Sequence, residues 1–516
     1  MTIAINAWSQ ELHIASGGDV YVSPKSYVYV GNNISIDNAG SFTVKSDATD
    51  SGSLLVTGTA TGDISYDRFV PTTNWHFVAA PVTTQDIGTF AVDVANNVRV
   101  SGTGNYGISI YDNGNDPTKR WRYYTTATPY SAATTSQSAG LASSAGNFVS
   151  GKGYSNLRGA AGTYTFKGNL ATADVNITVP DSPATAENHH WGVVGNPYPA
   201  FLAANANANA SNVLTQNAGI LKTGMVALYF WDGADYQAVN NSDPALYLAP
   251  GQGFVVEAKA DSQTFTFSEA LIEPQPSSPA TFYKTSPMTS VTLFLAKGKS
   301  EKKTRLRYLD NNVTTGLDEG YDAGAYRDGT PSFSIDTHLV NNSTGMDFTI
   351  QCLPKSELET TVVPVAVYAN ANDVLSFRAE TENLPEGVFV YLEDKETNTI
   401  TKINNEAYNV TATQKLNGIG RFYVHTANSV LSIGDVNTFS NLSIYKTSNT
   451  NLKIVGLNTD SASKVNIYSI SGKKVVSKSF KAENVYNVTL PKLSTGVYLV
   501  NVISDSKKQT KKIIIE

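Results

Sequence analysis

The chain has 516 residues, enough for about three or four domains. Only 16% of them are charged, while Gly, Ser, Thr, Asn and Tyr abound; this is the profile of a turn-rich exported β protein rather than a helical cytosolic enzyme. The net charge of −6 argues against binding a phosphate backbone, the single cysteine excludes an intrachain disulfide, and no apolar run approaches the ~18 residues of a membrane helix.

In chain order, residues 1–9 read as a signal-peptide remnant, with the small residues Ala7 and Ser9 ahead of Gln10. The alternative is that they belong to the first strand. Residues 10–67 hold apolar pairs at i and i+2: Val20/Val22, Val28/Val30, Ile34/Ile36, Phe42/Val44, Leu54/Val56 and Ile64/Tyr66. Each pair presents both side chains to one face of a strand. Their close recurrence predicts stacked rungs of a β-helix-like N-terminal region, with a meander as the alternative.

Residues 68–273 contain an internal duplication. Trp75-His76-Phe77-Val78-Ala79-Ala80-Pro81 matches Trp191-Gly192-Val193-Val194-Gly195-Asn196-Pro197 at its Trp, Val and Pro positions. Tyr111-Asp112-Asn113-Gly114 with Trp121 is echoed by Trp231-Asp232-Gly233 with Tyr236. Gly151-Lys152-Gly153-Tyr154 is echoed by Gly251-Gln252-Gly253-Phe254. Three elements in one order predict two similar β units packed as a sandwich or a pseudo-two-fold pair. Tyr111, Trp121, Tyr123, Trp231 and Tyr236 fall near the predicted tips of these units. Flat rings with polar edges suit a sugar or a protein surface, but β proteins use such residues more often as core and cross-strand pairs. Trp191 through Pro199 and Pro250 through Phe254 make this region resemble a module of large surface proteins of Flavobacteria, which implies an exported protein and no known activity.

Pro274 to Pro279 reads as a linker, and residues 280–434 as a second β-sandwich module. Cys352, on an apolar run, reads as a small buried residue. Asp318, Asp322 and Asp328 lie in a Gly-rich stretch. Such oxygen donors would suit calcium, and they equally suit a solvated loop. No other cofactor is implied. The six histidines show no zinc spacing, and the chain contains no Gly-x-Ser-x-Gly elbow and no phosphate loop, so a non-catalytic protein is expected.

Residues 440–516 differ in charge: twelve Lys and four acids give +8, against −14 for the residues before them. Apolar runs alternate with polar residues, and Gly472 and Gly496 are expected in turns needing positive φ. The pieces Ile467-Tyr468-Ser469-Ile470-Ser471-Gly472-Lys473-Lys474-Val475-Val476, then Leu490 through Val500, then Lys511-Lys512-Ile513-Ile514-Ile515 succeed one another. This stretch resembles the C-terminal sorting domain (type A) of the type IX secretion system of Bacteroidota. The resemblance implies a C-terminal Ig-like β-sandwich that is an export signal. It also implies docking to the translocon pore and to an outer-membrane shuttle barrel through Gly472, Lys473, Gly496, Val497, Tyr498, Leu499, Lys511, Lys512, Ile513 and Ile514. Taken together, the chain is expected to be all-β, with tandem β-sandwich modules between the coil and the sorting domain. It is expected at the cell surface as an adhesin or a gliding-motility component. A secreted carbohydrate-binding protein, or a component retained on the secretion machinery, is the alternative.

Overall fold

The computed structural model describes the chain except residues 1, 4–6, 115–118, 127–136, 184–188, 277–287, 328, 405, 429–442, 449, 456, 458–461, 471, 482–484, 505–506 and 516. It is an all-β structure in which two short α-helices, Ile87–Val92 and Val213–Asn217, occur among the described residues. Met1–Pro385 with Phe389–Thr426 form one compact unit, and Glu386–Val388 with Ala427–Glu516 form another.

The first unit begins as a three-faced coil. Thr2–Ile3, Asp19–Val22, Ser41–Lys45 and Ile64–Val70 pair in parallel along one face. Ala7–Ser9, Tyr27–Val30 and Ser53–Val56 form the second face. Leu12–Ile14, Ile34–Ile36 and Ala60–Thr61 form the third. Thr2–Ile3 and Ala7–Ser9 thus pair with strands of the next turn of the coil. All six i, i+2 apolar pairs between Val20 and Tyr66 are buried. A parallel ladder stacks like on like, so each inward pair packs on the pair one turn away. The boundary expected after residue 67 falls inside the strand Ile64–Val70. That strand pairs in parallel with Ser41–Lys45 and antiparallel with Gly162–Gly168, so it serves both the coil and the duplicated region.

The two repeats share one topology. In the first, a sheet runs His76–Val78, Tyr154–Asn156, Asn105–Tyr111, Trp121–Thr125; in the second the matching order is Trp191–Gly195, Gly253–Glu257, Leu228–Trp231, Tyr236–Val239, and the first sheet alone adds a parallel edge strand, Ser138–Leu141. Each repeat adds an outer antiparallel pair, Ile64–Val70 with Gly162–Gly168 and Val175–Val179 with Gln263–Phe267. A short helix lies in each, capped at its N-terminus by Asp86 or Asn212, whose side chain accepts from Thr89 N or Thr215 N. A buried asparagine ties each repeat to its closing strand. Asn96 Oδ1 accepts from Thr165 N at 2.7 Å, and Asn217 Oδ1 accepts from the matching Thr266 N at 2.8 Å. Their amides donate back to Phe90 O and Val213 O in the helices.

The repeats join by exchanging equivalent contacts. Val78 bridges Gln252, and Val194, its counterpart, bridges Lys152. Ala79 N donates to Gly251 O at 2.9 Å, and Gly195 N donates to Gly151 O at 3.0 Å. This explains both Gly-x-Gly turns. The first glycine takes positive φ, +79° at Gly151 and +69° at Gly251. The second lies against the other repeat. A Cβ on Gly153 would sit 2.7 Å from Val193 Cγ1, and one on Gly253 would sit 2.8 Å from Phe77 Cβ.

The second repeat also shares a core with the large sheet of residues 289–428. Trp191, Tyr229 and Val255 pack with Ala323, Ile350 and Cys352. The last three belong to this eleven-stranded sheet, which includes Thr289–Lys297, Ser300–Leu309 and Phe348–Pro354. Polar ties line the same junction. Trp191 Nε1 donates to Arg327 O, Tyr229 Oη to Gly324 O, and Arg307 pairs with the buried Asp243. The residues read as a linker are also engaged, since Gln275 accepts from Ser51 N at 2.8 Å and donates to Asp50 at 2.6 Å.

In the acidic loop, Asp322 is 1% exposed and spends both oxygens on backbone amides, Cys352 N and Asp318 N, each at 2.7 Å. Burial pushes its carboxyl up to about 7, with Asp318 and Glu319 adding to the rise against the two amides.

Gly153→Ala or Gly253→Ala should each cost about 1–3 kcal/mol by overpacking the seam between repeats. Thermal unfolding beside Gly219→Ala, where an added Cβ meets nothing within 4 Å, measures it; equal melting of all three variants would refute the seam. For Asp322, the folded state holds the proton more tightly than the unfolded chain. Its contribution is therefore full below about pH 4 and lost as pH rises through about 7. Asp322→Asn should flatten the fall in melting temperature between about pH 5 and 8; an unchanged slope would rule out this carboxyl as its source.

Candidate functional site

The four half-exposed aromatics picked out by the sequence come together. Trp121 and Tyr123, from the first repeat, and Trp231 and Tyr236, from the second, line one cleft of about 160 Å³. Trp75 and Phe77 complete it. The duplication explains the meeting. Tyr111 faces Trp121 across one hairpin, as Trp231 faces Tyr236 across its counterpart, and the seam brings the two hairpins together.

The rings hold each other in place. Phe77 stacks on Trp121 at 5.5 Å and 20°, and on Tyr236 at 6.2 Å and 27°. Trp75 tilts against Tyr123, and Trp231 meets Tyr236 edge-on at 5.1 Å. Tyr236 stacks in turn on Tyr326 at 3.9 Å. Such rings present rigid apolar faces with few rotatable bonds, at low entropic cost to a ligand. Tyr111 is the exception among the sequence candidates. It is 4% exposed, packs edge-on against Trp121 from behind, and accepts from Arg120. It supports the cleft without lining it. Sequence reasoning does not single out Trp75 and Phe77 as lining residues. Their repeat motif marks them as structural, and only the fold shows which faces remain open.

The acidic loop is a separate arrangement. Asp318 accepts from Thr314 N at 2.6 Å, and Asp322 is committed to the amides of Cys352 and Asp318. Asp328 lies outside the described residues. Among the described residues, no group of three His, Cys, Asp or Glu side chains is placed to hold a metal ion. Cys352 is fully buried, and burial pushes its thiol up to about 12.

In the C-terminal unit, two antiparallel sheets, Ser443–Ser448 with Asn451–Val455 and Val485–Thr489, and Lys474–Lys481 with Ala462–Ser469, Gly496–Ser504 and Lys507–Ile515, enclose one apolar core. The residues expected to act in sorting separate by role. Gly472, at φ +81°, makes the turn beside the exposed Lys473. Gly496 is not in a turn. It opens a strand with φ +158°, close to extended, opposite Ile515. Tyr498 and Ile513 point into the core, while Leu499 and Ile514 are 40% and 51% exposed, with Lys511 and Lys512 also exposed. Val497 is half-buried and pairs with Ile514. Strand Lys507–Ile515 is the sheet edge, so its outer backbone groups have no strand partner within the sheet. No helix among the described residues is long and apolar enough to cross a membrane.

Comparison with known proteins matches residues 1–425 to the family described as "Domain of unknown function (DUF8693)". Residues 446–516 match the family described as "Secretion system C-terminal sorting domain". No curated protein matches the chain. Among solved structures, a two-domain fibronectin type III segment of chicken tenascin is 11% identical, covering 28% of this chain and 94% of that one, with a TM-score of 0.13. Dimeric latent PorU from Porphyromonas gingivalis is 9% identical, covering 49% and 31%, with a TM-score of 0.14. A tetra-tandem repeat from the extending region of a large adhesion protein is 10% identical, covering 81% and 93%, with a TM-score of 0.13. The sorting domain makes the protein a secreted or cell-surface substrate that interacts with the type IX secretion machinery. The chain belongs to the family described as a domain of unknown function, DUF8693, carried here by a secretion system C-terminal sorting domain.

Proposed function

We propose that this is a non-catalytic adhesin of a Bacteroidota cell surface, displayed by a type A sorting domain and binding glycan through the aromatic cleft. The observation that carries the reading is the cleft itself. Six half-buried rings from two repeats surround a space that the protein's own side chains leave open. Sugar rings have an apolar face that such platforms suit, and their hydroxyls meet the polar edges of Tyr and Trp. Export places the cleft where surface glycans are. The sorting domain would dock to the translocon pore and shuttle barrel by strand addition along Lys507–Ile515, with Leu499, Ile503 and Ile514 as its exposed apolar contacts.

Trp121→Ala with Trp231→Ala should abolish retention on a glycan panel while circular dichroism shows the fold intact. Retention equal to that of the unmodified protein, or no retention of the unmodified protein on any polysaccharide, would sink the glycan reading. Separately, Leu499→Asp with Ile514→Asp should leave the sorting domain folded, because both side chains point outward, and should reduce surface display at least about tenfold by surface labelling. Normal display of that variant would show that the exposed strip is not the docking face.

A further inference from the structure

Phe77 and Trp231 line the aromatic cleft and also a second hollow of about 140 Å³. Arg68 and His76 line this second space, together with Gln252. Arg68 differs in its partners from most other arginines of this unit that are not fully exposed. Arg122 pairs with Asp112, Arg305 and Arg307 with Asp243, Arg327 with Asp336 and Asp347, and Arg421 with Asp394. Arg158 is held by the carbonyls of Asn96, Ala160 and Thr163. Among the described residues Arg68 has no carboxylate partner, and its hydrogen bond to Ser51 Oγ is a long one of 3.3 Å.

A half-buried guanidinium without a counter-charge is costly to the fold. Burial lowers its pKa accordingly. His76, in the same hollow, is lowered by burial and then by Arg68, which keeps it neutral. The hollow is therefore lined by a cation that no carboxylate among the described residues neutralises, beside the rings of Phe77 and Trp231. On the far side, Tyr236 also lines a space of about 260 Å³, where Lys302 is paired with Asp235 and Arg327 with Asp336, while Lys303 adds a further exposed positive charge. Asp235 and Asp336 line that space too, so Lys303 is its surplus positive charge, on a body whose overall charge is negative. Each hollow is smaller than the roughly 300–1,000 Å³ of a typical small-molecule pocket, so the row suits successive units of a chain better than one compact ligand.

We propose that the groove takes an acidic glycan, a uronate-containing polysaccharide whose sugar faces lie on the rings and whose carboxylate seats on Arg68. This rests on the glycan reading of the cleft. Arg fits the role because its planar fork donates two parallel hydrogen bonds to a carboxylate.

The test uses the full chain, with polygalacturonate and alginate as probes beside the same polymers after carboxyl reduction, in affinity electrophoresis and calorimetry. The native acidic polymer should bind at least about tenfold more tightly than its reduced form, the scale of one charge-assisted hydrogen bond. Arg68→Gln should bring binding down to the level of the reduced polymer, and Arg68→Lys should retain part of it. Arg68→Gln should also melt at the same temperature or higher, because it removes an uncompensated charge; a purely structural arginine would lower it. Equal binding of acidic and reduced polymers would overturn this inference and leave the glycan reading standing. Binding of neither, together with an empty neutral panel, would overturn both. Unchanged binding of the acidic polymer by folded Arg68→Gln would place the carboxylate elsewhere and end the proposal. Should Arg68→Gln not fold, Arg68→Lys takes its place: a weaker preference for the acidic polymer by the folded Arg68→Lys chain supports the proposal, and an unchanged preference ends it.

Discussion

The seam between the two repeats is the constraint on which the rest of the first unit depends. At four places backbone meets backbone across a pseudo-two-fold relation: Val78 with Gln252, Val194 with Lys152, Ala79 with Gly251, and Gly195 with Gly151. The approach is close enough that a single added carbon on Gly153 or Gly253 would meet the other repeat below 3 Å. Close backbone contact of this kind needs residues without side chains, and it fixes relative position far more tightly than a layer of flexible side chains. The coil, the outer strand pairs and the large sheet all attach to a frame that this seam sets.

The cleft is a by-product of that frame. Two equivalent hairpins end in aromatics, and the seam turns them toward each other. Some rings are consumed as core, as Tyr111 and Trp191 are, and the remainder form a wall that stays half open. Beside it the fold keeps an arginine in a position that costs stability. Proteins hold such uncompensated groups at functional sites, where a ligand supplies what the fold withholds. Elsewhere in the same unit, the more deeply buried Arg307 and Arg158 are matched with a carboxylate or with carbonyls, and Arg327 with two carboxylates.

The sorting domain faces a different physical problem. A two-sheet sandwich has open edges, and an exported chain travels partly exposed. Lysines mark both edges of its larger sheet: Lys474, Lys478 and Lys481 on one, Lys511 and Lys512 on the other, all exposed. Edge lysines discourage indiscriminate strand pairing. They leave the apolar strip of Leu499, Ile503 and Ile514 for a partner that brings its own complementary surface. The basic charge of this region therefore has a structural reason alongside any recognition role.

Local pattern makes much of this fold legible in the sequence. The i, i+2 pairs from Val20 to Tyr66 are buried because a strand has period two, whatever it packs against. The duplication is legible because both copies need the same Gly-x-Gly turn and the same Trp-to-Pro strand. The final strands announce themselves by alternation, with Ile513 and Ile515 buried and Ile514 out. What only the tertiary structure decided depends on partners distant in sequence. That Gly496 begins a strand is set by Ile515, and that Tyr111 lies behind the cleft is set by Trp121 and Arg120. The roles of Asn96 and Asn217 as latches depend on strands about 50 to 70 residues on. Above all, a sequence shows that an arginine is present, and only the assembled fold shows that no carboxylate among the described residues comes to meet it, because pairing is a property of proximity and not of composition.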